Sequence, residues 1–213
     1  MAARDYGQYC GVTRALELVG ERWALLIVRD LLVGPRRYGE LAAGLPRIPS
    51  NILATRLKEL QAEGIIRRAP RSRVIVYELT PYGRELEPVV LALGAWGFKA
   101  MGEPREEQII TPDSMTIALR TAFRPQVAAS LPATAYAARF GPTGLLINVD
   151  GSALDVIPGE GRADLAFAAG PGIRRLIAGQ LTPDDAIATG VVEVLGGRSQ
   201  LLERFASTFH LAA

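Results

Sequence analysis

The sequence predicts a mixed α+β chain in two parts. The first is basic, mainly helical and closed by a hairpin; in the second, strands give way to helices. Three observations predict this. Apolar residues recur at helical spacings of three and four over the first sixty or so positions, and a β-patterned run crowded with arginine follows at once. Net charge is +5 up to Met101 and −3 from Gly102 onward. Within 213 residues this divides into 1–101, a polar linker over 102–112 and 113–213, each main part long enough to bury a core.

Helical spacing covers Thr13–Val19 and Arg22–Val33, the latter rich in Leu25, Leu26, Ile27, Leu31 and Leu32, until Gly34-Pro35 breaks it. A short helix around Tyr38–Ala43 and a turn through Gly44 and Pro46 come next. The following helix starts at Pro49 and Ser50, with Ser50 as N-cap, and ends at Gly64, where a left-handed residue is needed. Leu53, Leu57 and Leu60 share one face of it, and Asn51, Thr55, Lys58 and Ala62 share the opposite one. Two β-runs, Ile65–Arg68 and Val74–Leu79, are joined through Ala69-Pro70-Arg71-Ser72-Arg73. A proline-initiated helix over Pro81–Met101 carries Leu86, Val89, Val90, Leu93 and Trp96, as intradomain core or as a dimer seam.

A short helix, a tight turn and a second helix with a polar outer stripe form a helix-turn-helix, and the hairpin makes it winged. Charge agrees: from Arg36 to Arg73 nine bases face three acids, a local net of +6. DNA phosphates would give these arginines a partner. The candidate DNA-binding residues are Arg36, Arg47, Ser50, Asn51, Thr55, Arg56, Lys58, Arg71 and Arg73. An ordinary surface helix and hairpin with solvated arginines would give the same local pattern.

Residues Cys10 to Lys99 resemble the HxlR-type winged-helix transcriptional regulators of bacteria. The resemblance is carried by Cys10, the run ALELVGERWALLIVRDLLVGPRRYGELAAGLPRIPSNILATRLKELQAEGIIRR and the segment VYELTPYGRELEPVVLALGAWG, in that order. It implies a homodimer, assembled through the N-terminal segment and the helix after the wing, on palindromic double-stranded DNA. The hairpin, RAPRSRVIVYELT, is shorter than the family's and lacks its paired prolines.

In the second part, a helix is predicted over Ser114–Ala122. ATAYAARFG, GLLINVDGSALDVI and ADLAFAAG read as strands, with a hairpin at Asp150-Gly151. Helices follow at Gly172–Ala178, at Pro183–Ala188 with Thr182 as cap, and at Ser199–Phe209 with Ser199 as cap; Val191–Leu195 is a strand between the last two. The region from Leu145 onward resembles a sterol-carrier-type (SCP2-like) domain through Gly179, Leu181, Thr182, Pro183, Ala186, Gly190 and the final helix through Leu202 and Phe205. That resemblance implies a sheet with helices on one face and an apolar cavity between them, able to hold a hydrophobic small-molecule effector. Leu145, Ile147, Leu165, Phe167, Leu176, Ile177, Leu202 and Phe205 are its expected lining. Surfaces this apolar must close on one another, on a second protomer or on a ligand.

Other chemistry finds little support. Cys10 and His210 stand at opposite ends of the chain, so no metal ligand set forms, and neither a nucleophile elbow nor a phosphate loop is present. Asp184-Asp185 are adjacent on a helix and point apart, which suits a helix N-terminus better than acid–base catalysis. No cofactor and no enzyme activity are expected. A single cysteine, no apolar leader and no membrane-length apolar run suggest a cytoplasmic protein. Cys10 is either a small residue packed under the first helix or a redox sensor whose thiol is acidified by a helix N-terminus. The function expected is a DNA-binding regulator. A lipid or metabolite carrier that dimerises through its winged helix is the other class; a dimer brace with a filled cavity is a third.

Overall fold

The computed structural model describes residues 5–102, 105 and 107–212. Residues 1–4, Glu103, Pro104 and Glu106 of the expected linker, and Ala213 lie outside the described residues. The chain is mixed α+β and divides into two compact units between Val90 and Leu91.

The first unit contains helices α1 (Gly11–Val19), α2 (Ala24–Val33), α3 (Tyr38–Gly44) and α4 (Ser50–Ala62), the hairpin β1 (Ile66–Arg71) and β2 (Val74–Leu79), and the one-turn helix α5 (Pro81–Arg84). Helix α6 (Glu87–Phe98) contains the division. Ile27 and Leu31 of α2, Leu41 of α3, Leu53, Leu57 and Leu60 of α4, and Ile65 are buried together as the core.

Three expectations are corrected here. The hairpin turns at Ser72-Arg73 alone, with Ser72 at φ 55°, so Pro70 belongs to β1, opposite Ile75. Proline is tolerated there because β1 pairs on one side only, and its missing N–H faces outward. Ser50 is the first helical residue, with Pro49 at the cap; its carbonyl instead accepts from the Tyr38 hydroxyl at 2.9 Å. Finally, Pro81–Met101 is two helices. The Thr80 hydroxyl accepts from the Gly83 N–H at 3.0 Å and also reaches the Gly64 carbonyl at 2.6 Å, which ties α5 down. A Cβ on Gly83 would fall 2.0 Å from the Ile65 carbonyl oxygen, so only glycine fits. Pro88 cannot continue α5 without a clash, and it takes the second position of α6.

The second unit adds α7 (Pro112–Ala122), α8 (Pro125–Ala128), β3 (Thr134–Phe140), β4 (Thr143–Asp150), β5 (Ala153–Pro158), β6 (Leu165–Ala169), α9 (Ile173–Ile177), α10 (Pro183–Ala188), β7 (Val192–Gly197) and α11 (Leu201–Thr208). Its sheet runs β5-β4-β3-β6-β7, with β3 and β6 parallel and the other pairs antiparallel. Alternate residues of β3, β4 and β6 are buried, as period-two strands with one covered face require. Gly151 makes the predicted hairpin with φ 55°. Thr182 caps α10, its hydroxyl accepting from the Asp185 N–H at 3.1 Å. Ser199 caps nothing: α11 starts at Leu201 after Gln200, whose side chain makes no capping bond.

Candidate nucleic-acid interface

The interface is built on α4. Three leucines pin its inner face, so the opposite row, Asn51, Thr55, Lys58 and Ala62, turns outward. Asn51 and Lys58 are exposed. Thr55 is half-buried, and its hydroxyl donates to the Asn51 carbonyl at 2.8 Å, which fixes its rotamer. Helix α3 reaches α4 through Leu45–Pro49, and the Tyr38–Ser50 bond links the first turns of the two helices. Gly44 permits the close approach of α3 to α2: an added Cβ would stand 2.9 Å from Asp30 Oδ2.

The hairpin is anchored at its base. Arg36 N donates to the Tyr77 carbonyl at 3.0 Å and Tyr77 N to the Arg36 carbonyl at 2.7 Å, a short third strand beside β2. The Arg36 guanidinium donates to the Pro35 carbonyl and stays half-buried. Glu78, buried on β2, accepts from Arg67 at 2.7 Å and from Arg71 at 2.9 Å. Hydrogen bonds from Arg71 and then Arg67 hold its carboxyl below the ordinary glutamate range, against the opposing effect of desolvation. Arg68 on β1 and Arg73 at the turn are exposed.

The expected residues therefore separate into groups. Asn51, Thr55 and Lys58 share the outward face of α4, Ser50 and Arg47 are exposed at its entry, and Arg73 tips the hairpin. Arg71 is mostly exposed but already engaged by Glu78. Arg56 is a correction: its side chain is 13% exposed and pairs with Glu21 at 3.1 Å and with Glu59, so it braces α4 from within. Arg67, Arg68 and Glu78 were missed as a group. Their signal was the hairpin register, because a turn at Ser72-Arg73 puts Arg67 opposite Glu78.

The expected ligand lining is also corrected. Leu145, Ile147, Leu165, Phe167, Leu176, Leu202 and Phe205 are buried against one another as the core of the second unit, with Ile177 packed at its edge. Phe205 stands at the centre of an aromatic cluster, 5.1 Å from Phe167, 5.3 Å from Tyr136 and 4.7 Å from Phe209, between ring centroids. Side chains occupy the space that the apolar pattern assigned to a cavity.

Cys10 is exposed rather than packed, at the cap position of α1. The backbone N–H groups of Thr13 and Val12 in the first turn of α1 lower its thiol pKa, without a full capping hydrogen bond to the sulfur. Among the described residues no group of three or more His, Cys, Asp or Glu could hold a metal, and no helix is long and apolar enough to cross a membrane.

The HxlR-like helix-turn-helix family model matches residues 18–105. An uncharacterized HTH-type transcriptional regulator of Mycobacterium tuberculosis is 44% identical over 96 residues, 44% of this chain and 60% of the relative, so the chain spans less than two thirds of that protein's length. The uncharacterized HTH-type transcriptional regulator YvaP of Bacillus subtilis is 38% identical over 86 residues, 39% of this chain and 80% of YvaP. A solved structure of the redox regulator HypR in its oxidized form is 32% identical and covers 45% of this chain and all of its own, with a TM-score of 0.41.

Proposed function

We propose a function from one premise: the chain belongs to the HxlR-like helix-turn-helix family. It is a DNA-binding transcriptional regulator that reads base edges with α4 and grips the backbone with its hairpin. The observation that carries this reading is the outward row Asn51, Thr55 and Lys58 beside the exposed Arg68 and Arg73. Asn51 can pair bidentately with adenine, and Thr55 can present its methyl to thymine. A carrier protein has no use for such a row next to an arginine hairpin. The protein acts as a homodimer on a palindromic operator, with half-sites about one helical turn apart. Support for the dimer comes from the apolar residues left exposed, Val12 and Leu16 on α1 and Val89, Leu93 and Trp96 on α6. The second unit, SCP2-like in its sheet with packed helices, takes an effector that alters operator affinity. The test is a mobility-shift assay on sheared genomic fragments at physiological salt. Retention of particular fragments against scrambled competitor supports the reading, and indifference to sequence rejects it.

A second reading is favoured by one observation, the exposed and acidified Cys10 thiol. On that reading, thiol oxidation releases the operator. Diamide should then release the wild type and leave Cys10→Ser bound; an equal response from both proteins removes Cys10 as a sensor.

A further inference from the structure

The five-stranded sheet of the second unit is covered by helices on one face. Buried residues of α7, α9, α10 and α11 join Tyr136, Ile147, Phe167 and Val192 in the core, so the helices lie on that side. The residues that alternate with these point the other way: Ala135, Ala137 and Arg139 on β3, Ala166 and Ala168 on β6, and Glu193 on β7. The face turned away from a single helix layer ordinarily meets water and carries polar residues. Alanine also has low strand propensity, so neither solvation nor local preference accounts for four alanines on two adjacent strands. Small side chains on such a face do let another sheet approach closely.

The register arranges the charges around them. Arg139 stands opposite Ala168, and Ala168 opposite Glu193, so one row across β3, β6 and β7 reads positive, small, negative. Both charged residues are exposed, and two strand spacings put them about 10 Å apart. The neighbouring row is Ala137, Ala166 and Gly196, and the bulge in β7 leaves Leu195 45% exposed beside it. A half-turn about an axis along β6 changes positive, small, negative into negative, small, positive. The row is its own complement.

We infer that this face is a contact surface for a second copy of the chain, with a two-fold axis along β6. Arg139 of each copy meets Glu193 of the other, Ala166 and Ala168 lie on the axis against their own counterparts, and Leu195 fills the space over Ala137. An isologous contact requires one patch to match itself, and unlike charges flanking a small centre do so. Three strands at a spacing of about 4.8 Å offer less than the roughly 800 Å2 per partner of a free-standing interface. The contact is therefore a secondary one, between chains already held at high local concentration. In this it rests on the homodimer of the proposed function.

The test uses the full chain in a Cys10→Ser background and a short bismaleimide crosslinker. Ala168→Cys, on the axis, should be captured as a covalent dimer. Glu203→Cys, exposed on α11 over the covered face, should not. Adding Arg139→Glu to Ala168→Cys should slow capture by about tenfold, because like charges then meet at both ends of the row. Adding Glu193→Arg as well should restore the rate. The proposal is overturned if Ala168→Cys stays uncrosslinked, if Glu203→Cys is captured equally, or if the double charge reversal is no faster than Arg139→Glu alone. Light scattering of the wild type at the same concentration separates this contact from the homodimer. A dimer without capture at Ala168→Cys removes the sheet contact and keeps the homodimer; a monomer removes the homodimer and this contact with it.

Discussion

The two units treat apolar and polar residues in opposite ways. In the first, the core uses one face of each helix, and the side chains it leaves over, Asn51, Lys58, Arg68 and Arg73, are the ones available to a partner. In the second, the apolar residues that suggested a ligand wall are the core itself, wrapped around Phe205. Function on a patterned helix can be read from what packing does not need. Function inside a sheet-and-helix layer cannot, because a filled core and a lined cavity share one apolar pattern.

The largest expected effect tests that contrast. Phe205→Ala should cost about 3–5 kcal/mol of stability in denaturant unfolding of the second unit, the range for removing a large, fully buried aromatic ring. A residue lining an open, solvent-filled pocket would cost far less. A loss below about 1 kcal/mol would therefore restore the cavity and end the core reading of this unit.

Much of the molecule was legible in the sequence, for identifiable reasons. Leu53, Leu57 and Leu60 fixed the orientation of α4 through helical spacing alone, and Asp150-Gly151 and Thr182 acted as the hairpin turn and the cap expected of them. Misses arose where a non-local contact outweighed a local signal. Ser50 looked like a cap, but Pro49 takes the extended cap position and Ser50 serves Tyr38. Pro70 looked like a turn residue, but an edge strand accommodates it. Arg56 counted as free positive charge until the fold brought Glu21 to it, 35 positions away in sequence. Such pairings depend on how α1, α2 and α4 meet, and no window of sequence contains that.

On DNA the expected effects are smaller and differ in kind. Asn51→Ala should cost about 1–3 kcal/mol on the operator and little on random DNA, measured by competitive mobility shift. An equal loss on both would mean that α4 does not read bases. Arg73→Ala should weaken operator and random DNA alike and reduce the slope of log affinity against log salt by about one. Arg56→Ala sharpens the comparison: it should lower stability and leave that slope unchanged, since its charge is already spent on Glu21 and Glu59.

The smallest effect comes from Glu78, which belongs to the scaffold yet holds two residues of the interface. Its carboxyl is depressed in the folded chain, chiefly by hydrogen bonds from Arg71 and Arg67. The charged form is therefore favoured by folding. Stability from this source is complete above the ordinary glutamate pKa of about 4.3 and is lost as pH falls through the lowered folded value. Glu78→Gln should lower stability modestly at neutral pH, because these pairs are largely exposed on the arginine side, and leave strongly acid pH unaffected, so that the acid limb of the stability curve flattens. On DNA the same substitution acts oppositely. Arg67 and Arg71 lose their internal partner and become available to phosphate, so non-specific affinity at low salt should rise while the preference for operator falls. Measuring both limbs on one variant separates the two roles. An unchanged operator preference would mean that Glu78 stabilises the hairpin without aiming its arginines.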